Sequence, residues 1–79
     1  MIADSVFYCG LARSHMRRAA WWFCSSLNAM RRARRTDPGY DDYWRRATKE
    51  GMKWAHHQKC RALYCSWHAV AAEYREVEQ

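Results

Sequence analysis

One proline and three glycines in 79 residues leave the chain few places where a helix has to stop. No stretch approaches the roughly 20 consecutive apolar residues of a membrane span. Asp4 sits where a secretory signal would carry positive charge, and Val6 to Cys9 lacks the apolar run of a lipoprotein signal, so the expectation is a soluble, cytoplasmic protein. There is no internal repeat and no low-complexity tract, which removes solenoids and long disordered tails. A glycine-rich phosphate loop, a serine elbow and a pair of catalytic carboxylates on one face are also missing, and Cys65 with His68 has no visible orienting group. Neither catalysis nor a cofactor is therefore expected.

What is present is charge of one sign and many rings. Lysine and arginine number 14 against 8 acids, and 11 of the 14 are arginine, the residue whose planar fork matches phosphate and carboxylate. Five tryptophans, five tyrosines and two phenylalanines are more than a chain this short can hide, since a domain of this size buries only about 60% of its unfolded surface. Four cysteines (Cys9, Cys24, Cys60 and Cys65) are read, without a secretory signal, as reduced thiols packed as small hydrophobes.

Alanine, arginine, methionine and glutamate are plentiful, and the fold class expected is all-α. A first helix over about 4–35, with Asp4 or Ser5 as its cap, carries the stripe Val6, Cys9, Ala12, Met16, Ala19, Phe23, Leu27 and Met30. Phe7 and Trp21 fall on its other side and need a partner. Thr36, Asp37 and Pro38 read as a turn, with Asp37 capping a second helix that Pro38 begins. So short a turn implies an antiparallel hairpin, with Met30 near Tyr43, Phe23 near Glu50 and Cys9 near Tyr64.

The second arm, about 38–77, changes phase. Tyr40, Tyr43, Trp44, Ala47, Gly51 and Trp54 form one apolar line, and Cys60, Leu63, Trp67, Val70, Tyr74 and Val77 form another, nearly opposite on a straight helix. A break near 55–59, giving three helices, is the favoured resolution. The alternative is a straight arm whose second line packs on another copy of the protein, a homodimer.

Three clusters are candidates for function. Residues 31 to 53 hold Arg31, Arg32, Arg34, Arg35, Arg45, Arg46, Lys49 and Lys53 against Asp37, Asp41, Asp42 and Glu50, with Tyr43 available to stack. Helix dipoles account for part of this, because their effect fades within the last turn. Arg13, Arg17 and Arg18 lead into Trp21 as a basic and aromatic strip, either an internal cation–π pair or a docking anchor. His56, His57, Cys60, Cys65 and His68 have the residue types of a zinc site but the wrong spacing. His57 and His68 lie roughly 16 Å apart along a helix, so a zinc-binding module is only a minor alternative, and the expectation is no metal.

In length and composition the chain looks like the stand-alone proteins of phages and other mobile elements, anti-CRISPR proteins among them. That likeness implies an inhibitor that binds and blocks a larger host protein or nucleoprotein complex. The leading expectation is thus a non-enzymatic interaction protein using Arg13, Arg17, Arg18, Trp21, Tyr43 and the basic tip against an acidic surface. The alternative is a small helical protein that grips nucleic-acid backbone through Arg31 to Arg35 and Arg45 to Lys53. A membrane partner is not expected.

Overall fold

A computed structural model describes residues 2–35 and 38–78, and the side chains of Pro38, Gly39 and Tyr40 are not described. It contains two α-helices, α1 (Asp4–Arg35) and α2 (Pro38–Glu78), packed along their lengths into a hairpin that measures 63 × 16 × 14 Å. The expected all-α hairpin is therefore what the chain forms. The expected turn at Thr36 and Asp37 lies outside the described residues.

The helices meet along a seam of small residues. From α1 the buried positions are Ala12, Ala19, Ser26 and Ala29; from α2 they are Gly51, Ala55, Ala62, Cys65, Ala69 and Ala72. The α2 series recurs at alternating intervals of three and four residues, with Gln58 half-buried within it, which is the period that keeps one edge of a helix against its neighbour. This seam corrects two expectations. Of the α1 stripe, only Ala12 and Ala19 are buried, while Val6, Cys9, Met16 and Phe23 are exposed and Leu27 and Met30 half-buried. Of the α2 lines, Cys60, Leu63, Trp67, Val70, Tyr74 and Val77 are all exposed.

Close approach explains the rotation. Only two helices are available, and small side chains let their backbones draw near enough to exclude water from the line between them. Gly51 marks the tightest point. A Cβ at this position would collide with Ser26 Oγ, sit 3.2 Å from Ser26 Cβ and reach within 3.4 Å of the Trp22 carbonyl oxygen. The hydroxyls at and beside the seam are satisfied within their own helices. Ser26 donates to the Trp22 carbonyl (2.8 Å), Thr48 to Trp44 (2.8 Å) and Ser66 to Ala62 (2.9 Å), so Ser26 behaves as another small residue.

The same seam sets the register and keeps α2 whole. Trp22 stacks on Trp54 and Ser26 lies on Gly51, each roughly one turn further along α2 than pairing about Thr36 and Asp37 would give. Across 55–59, where a break was expected, Ala55 and Gln58 continue the line of small and half-buried positions into Ala62. The phase change belongs to the large residues alone, so α2 runs unbroken for 41 residues.

At the open end, α1 starts one residue earlier in its hydrogen-bonding than expected. Phe7 N–H donates to the Ala3 carbonyl at 3.0 Å, which places Asp4 and Ser5 inside the first turn and not at the cap. Glu76 of α2 serves that turn instead, accepting from Ser5 N–H (3.2 Å) and from Ser5 Oγ (2.7 Å). These two bonds hold the Glu76 carboxyl below its ordinary pKa, with the hydroxyl bond the larger cause.

Candidate interaction surface

Every cation and ring singled out from the sequence is exposed: Arg13, Arg17, Arg18, Trp21, Arg31, Arg32, Arg34, Arg35, Tyr43, Arg45, Arg46, Lys49 and Lys53. The hairpin does not gather them on one side. Counting around each helix from the seam, Arg18, Trp21, Arg32, Arg35 and Tyr43 share one flank, whereas Arg13, Arg34, Arg45 and Lys49 share the other. Arg17, Arg31, Arg46 and Lys53 lie on the outer edges. The basic tip is cationic all round.

One flank is aromatic. Trp22 bridges Trp21, edge-on at 4.8 Å between centroids, and Trp54, stacked at 6.1 Å, and Trp54 continues edge-on to His57 at 5.7 Å. Further toward the open end Tyr8 stacks on His68 at 5.0 Å, with Tyr64 and Phe7 meeting this pair at their edges. Toward the tip, Arg32 lies over the Trp44 ring at 4.8 Å, and Tyr43 packs edge-on to Trp44. Of the two alternatives for the Trp21 strip, the internal cation–π pair does not form among the described residues: the cation–π contact there is Arg32 over Trp44, between helices, and Trp21 is 62% exposed. Trp54, His57, Arg61, Tyr64 and His68 join this flank without having been singled out as partner-binding residues. Their signal was present as positions flanking the alanine line of α2, visible only once that line is taken as the interface.

The opposite flank is aliphatic. A shallow groove lined by Met16, Ala20, Phe23, Met52, His56 and Lys59 has Ala19 and Ala55 of the seam as its floor. Val6, Leu63, Val70 and Val77 extend it toward the open end.

Two smaller features differ from expectation. Three of the four thiols, Cys9, Cys24 and Cys60, are exposed and free, and only Cys65 packs as a small hydrophobe. The zinc-type residues disperse: Cys60 lies 3.5 Å from His56 Nε2, Arg61 Nε donates to His57 Nε2, and His68 is held between tyrosines. Among the described residues no three potential ligands come together. His15 Nδ1–H donates to Gln58 Oε1 at 2.6 Å, a polar tie across the seam at mid-length.

Among the described residues the ion pair formed is local, Arg45 Nε to Asp41 Oδ2 at 3.0 Å, one turn apart on α2. Among the described residues no helix is long and apolar enough to cross a membrane. Compared with known proteins, the chain matches no family model, no curated protein and no solved structure.

Proposed function

We propose that the protein is a non-enzymatic interaction protein that docks on an acidic partner through the aromatic flank, with Trp21 as its anchor. The observation that carries this reading is the exposure of Trp21, Trp54, Tyr43 and Tyr64 beside Arg18, Arg32 and Arg61 on one side of a rigid hairpin. Tryptophan, tyrosine and arginine dominate the energetics of protein interfaces, and here Trp21, Tyr43 and Tyr64 stay largely exposed outside the buried seam, while Trp54 and Arg32 touch the facing helix and remain exposed. A partner with exposed carboxylates would complement their charge. Covering a host surface in this way is also how a small inhibitor acts, which extends to this chain the likeness in size and composition to phage and mobile-element inhibitors.

The test is a comparison of variants against any partner captured from a host lysate. Trp21→Ala should weaken capture by about 2 kcal/mol or more, near thirtyfold, whereas Arg31→Ala on the outer edge should cost far less. Equal, additive losses across the arginines with Trp21→Ala silent would count against the reading.

A second reading is supported by the ring of cations around the tip, of which Arg45 alone has an ion-pair partner among the described residues. Such a tip suits nucleic-acid backbone. Binding of this kind appears as a mobility shift with any duplex or single strand at about 50 mM salt, and log affinity falls linearly with log salt. Absence of a shift at that salt removes it.

A further inference from the structure

We infer that the aliphatic flank is a self-association surface, and that two copies pack antiparallel on it into a four-helix bundle. The chain is short of burial as a single hairpin. A folded monomer of 9.5 kDa exposes about 5000 Å², so the 6659 Å² exposed here is an excess of about 1600 Å². Part of that excess lies on this flank, where the apolar side chains of Met16 and Phe23 are about half exposed, as are those of Leu63 and Val70. A flank as long and wide as the hairpin, 63 × 16 Å, offers about 1000 Å² per copy, against the ~800 Å² per partner of a standard interface.

Charge selects the second copy as the occupant and fixes its direction. The tip is basic, whereas the open end carries Asp4, Glu73, Glu76 and Glu78 against Arg75 alone. On the aliphatic flank itself, Glu73 lies at the open end, Arg13 and Lys59 lie nearer the middle, and Arg34, Arg45 and Lys49 lie at the tip with Asp42 among them, so the tip keeps its positive excess. At ~1.5 Å per residue, Glu73 stands ~25 Å to one side of the groove's midpoint, near Ala20 and His56, while Arg34 stands ~21 Å and Arg45 ~16 Å to the other. A two-fold axis through that midpoint therefore sets Glu73 of each copy against Arg34 and Arg45 of its mate and lays groove on groove, with Phe23 and Met16 interdigitating. Parallel packing would put tip on tip, cation on cation. The aromatic flank faces outward in this bundle and stays free for a different partner.

Sedimentation equilibrium of the full chain across micromolar concentrations tests this. The expected species has twice the 9.5 kDa chain mass. A folded monomer at about 100 µM would overturn the inference, that concentration lying far above the micromolar range of even a modest specific complex. Phe23→Asp should abolish the dimer and Trp21→Ala should leave it intact; the reverse pattern overturns it. A charge exchange at the rim, which leaves the apolar packing of the hairpin untouched, supplies the second arm. Glu73→Arg should weaken the dimer at least tenfold at low salt, and Arg45→Glu added to it should restore most of the loss. Failure of the pair to rescue, or Glu73→Arg tightening the dimer, rules the antiparallel arrangement out.

Discussion

On one flank of the hairpin lie the exposed large residues Val6, Met16, Phe23, Leu63, Val70 and Val77; on the other lie Phe7, Trp21, Tyr43, Trp54 and Tyr64, set among Arg18, Arg32, Arg61 and His57, with Trp67 and Tyr74 on the outer edge of α2. Both flanks rise from the same backbone and the same alanine seam, so the contrast is chemical. Aliphatic side chains offer no polar handle and are satisfied only by a dry, close-fitting surface. Tryptophan, tyrosine and arginine combine area with N–H and O–H donors, which suits a wetter contact with a partner of opposite charge. A seam of small residues makes this division possible, because it leaves nearly all the large side chains outside.

The largest effect expected is therefore at the seam, on which both flanks depend. Gly51→Leu forces a branched side chain into the space held by Ser26 and the Trp22 backbone, an overpacking of ~3 kcal/mol. For a domain of this size that lowers the midpoint of thermal unfolding by more than about 10 °C. Circular dichroism at 222 nm would show it, and the partner-binding and self-association signals should fall together. A variant as stable as the parent would mean that the helices do not approach as closely as described. Next in size is the separation of the flanks. Trp21→Ala should cost a partner ~2 kcal/mol and leave sedimentation unchanged, while Phe23→Asp should do the opposite. Joint loss in both variants would merge the two surfaces into one.

A smaller effect is expected where the aromatic flank meets the tip. Arg32→Ala removes the guanidinium from the Trp44 ring and with it ~0.5–1 kcal/mol, while Arg31→Ala, one residue away on the outer edge, should be nearly silent. Thermal melts of the two variants side by side decide this, and equal midpoints would leave the Arg32 contact without energetic weight.

How much of this the sequence discloses depends on the size of the residue. The all-α class, the long first helix and the antiparallel hairpin follow from one proline at the right place and a shortage of glycine, which is local physics. The interface does not follow from the usual search for large apolar residues at helical spacing, because here the large residues mark the outside. Ala62, Ala72 and Ser26 scarcely register as hydrophobic and yet lie deepest. Taking the large residues of α2 as its packing lines predicted a break that Ala55 and Gln58 do not make, and pairing about Thr36 and Asp37 set the expected register roughly one turn short. For the candidate surface, Trp21 and the arginines were legible as residues that a thin core could not absorb. Trp54, His57 and Tyr64 were not, since their place on the same flank depends on the true seam. The tie between Ser5 and Glu76, 71 residues apart, has no local signal of any kind.

That tie gives the smallest expected effect and the one with a pH signature. Glu76 accepts two hydrogen bonds from Ser5, which favour its charged form and hold its pKa in the folded state below the unfolded value of ~4.3. A carboxyl with a depressed folded pKa contributes stability that is fully present above the unfolded value and is lost as pH falls through the folded one. Glu76→Gln removes the charge at every pH and keeps one acceptor for the Ser5 amide. Its unfolding midpoint should therefore lie slightly below that of the parent at neutral pH, and the two should converge as the parent is acidified through the lowered pKa. Glu76 is fully exposed, so solvent screens the interaction and added salt should narrow the gap at neutral pH. Curves that diverge on acidification would mean that the protonated carboxyl is the form the α1 terminus prefers, and would detach Glu76 from the first turn it is drawn against.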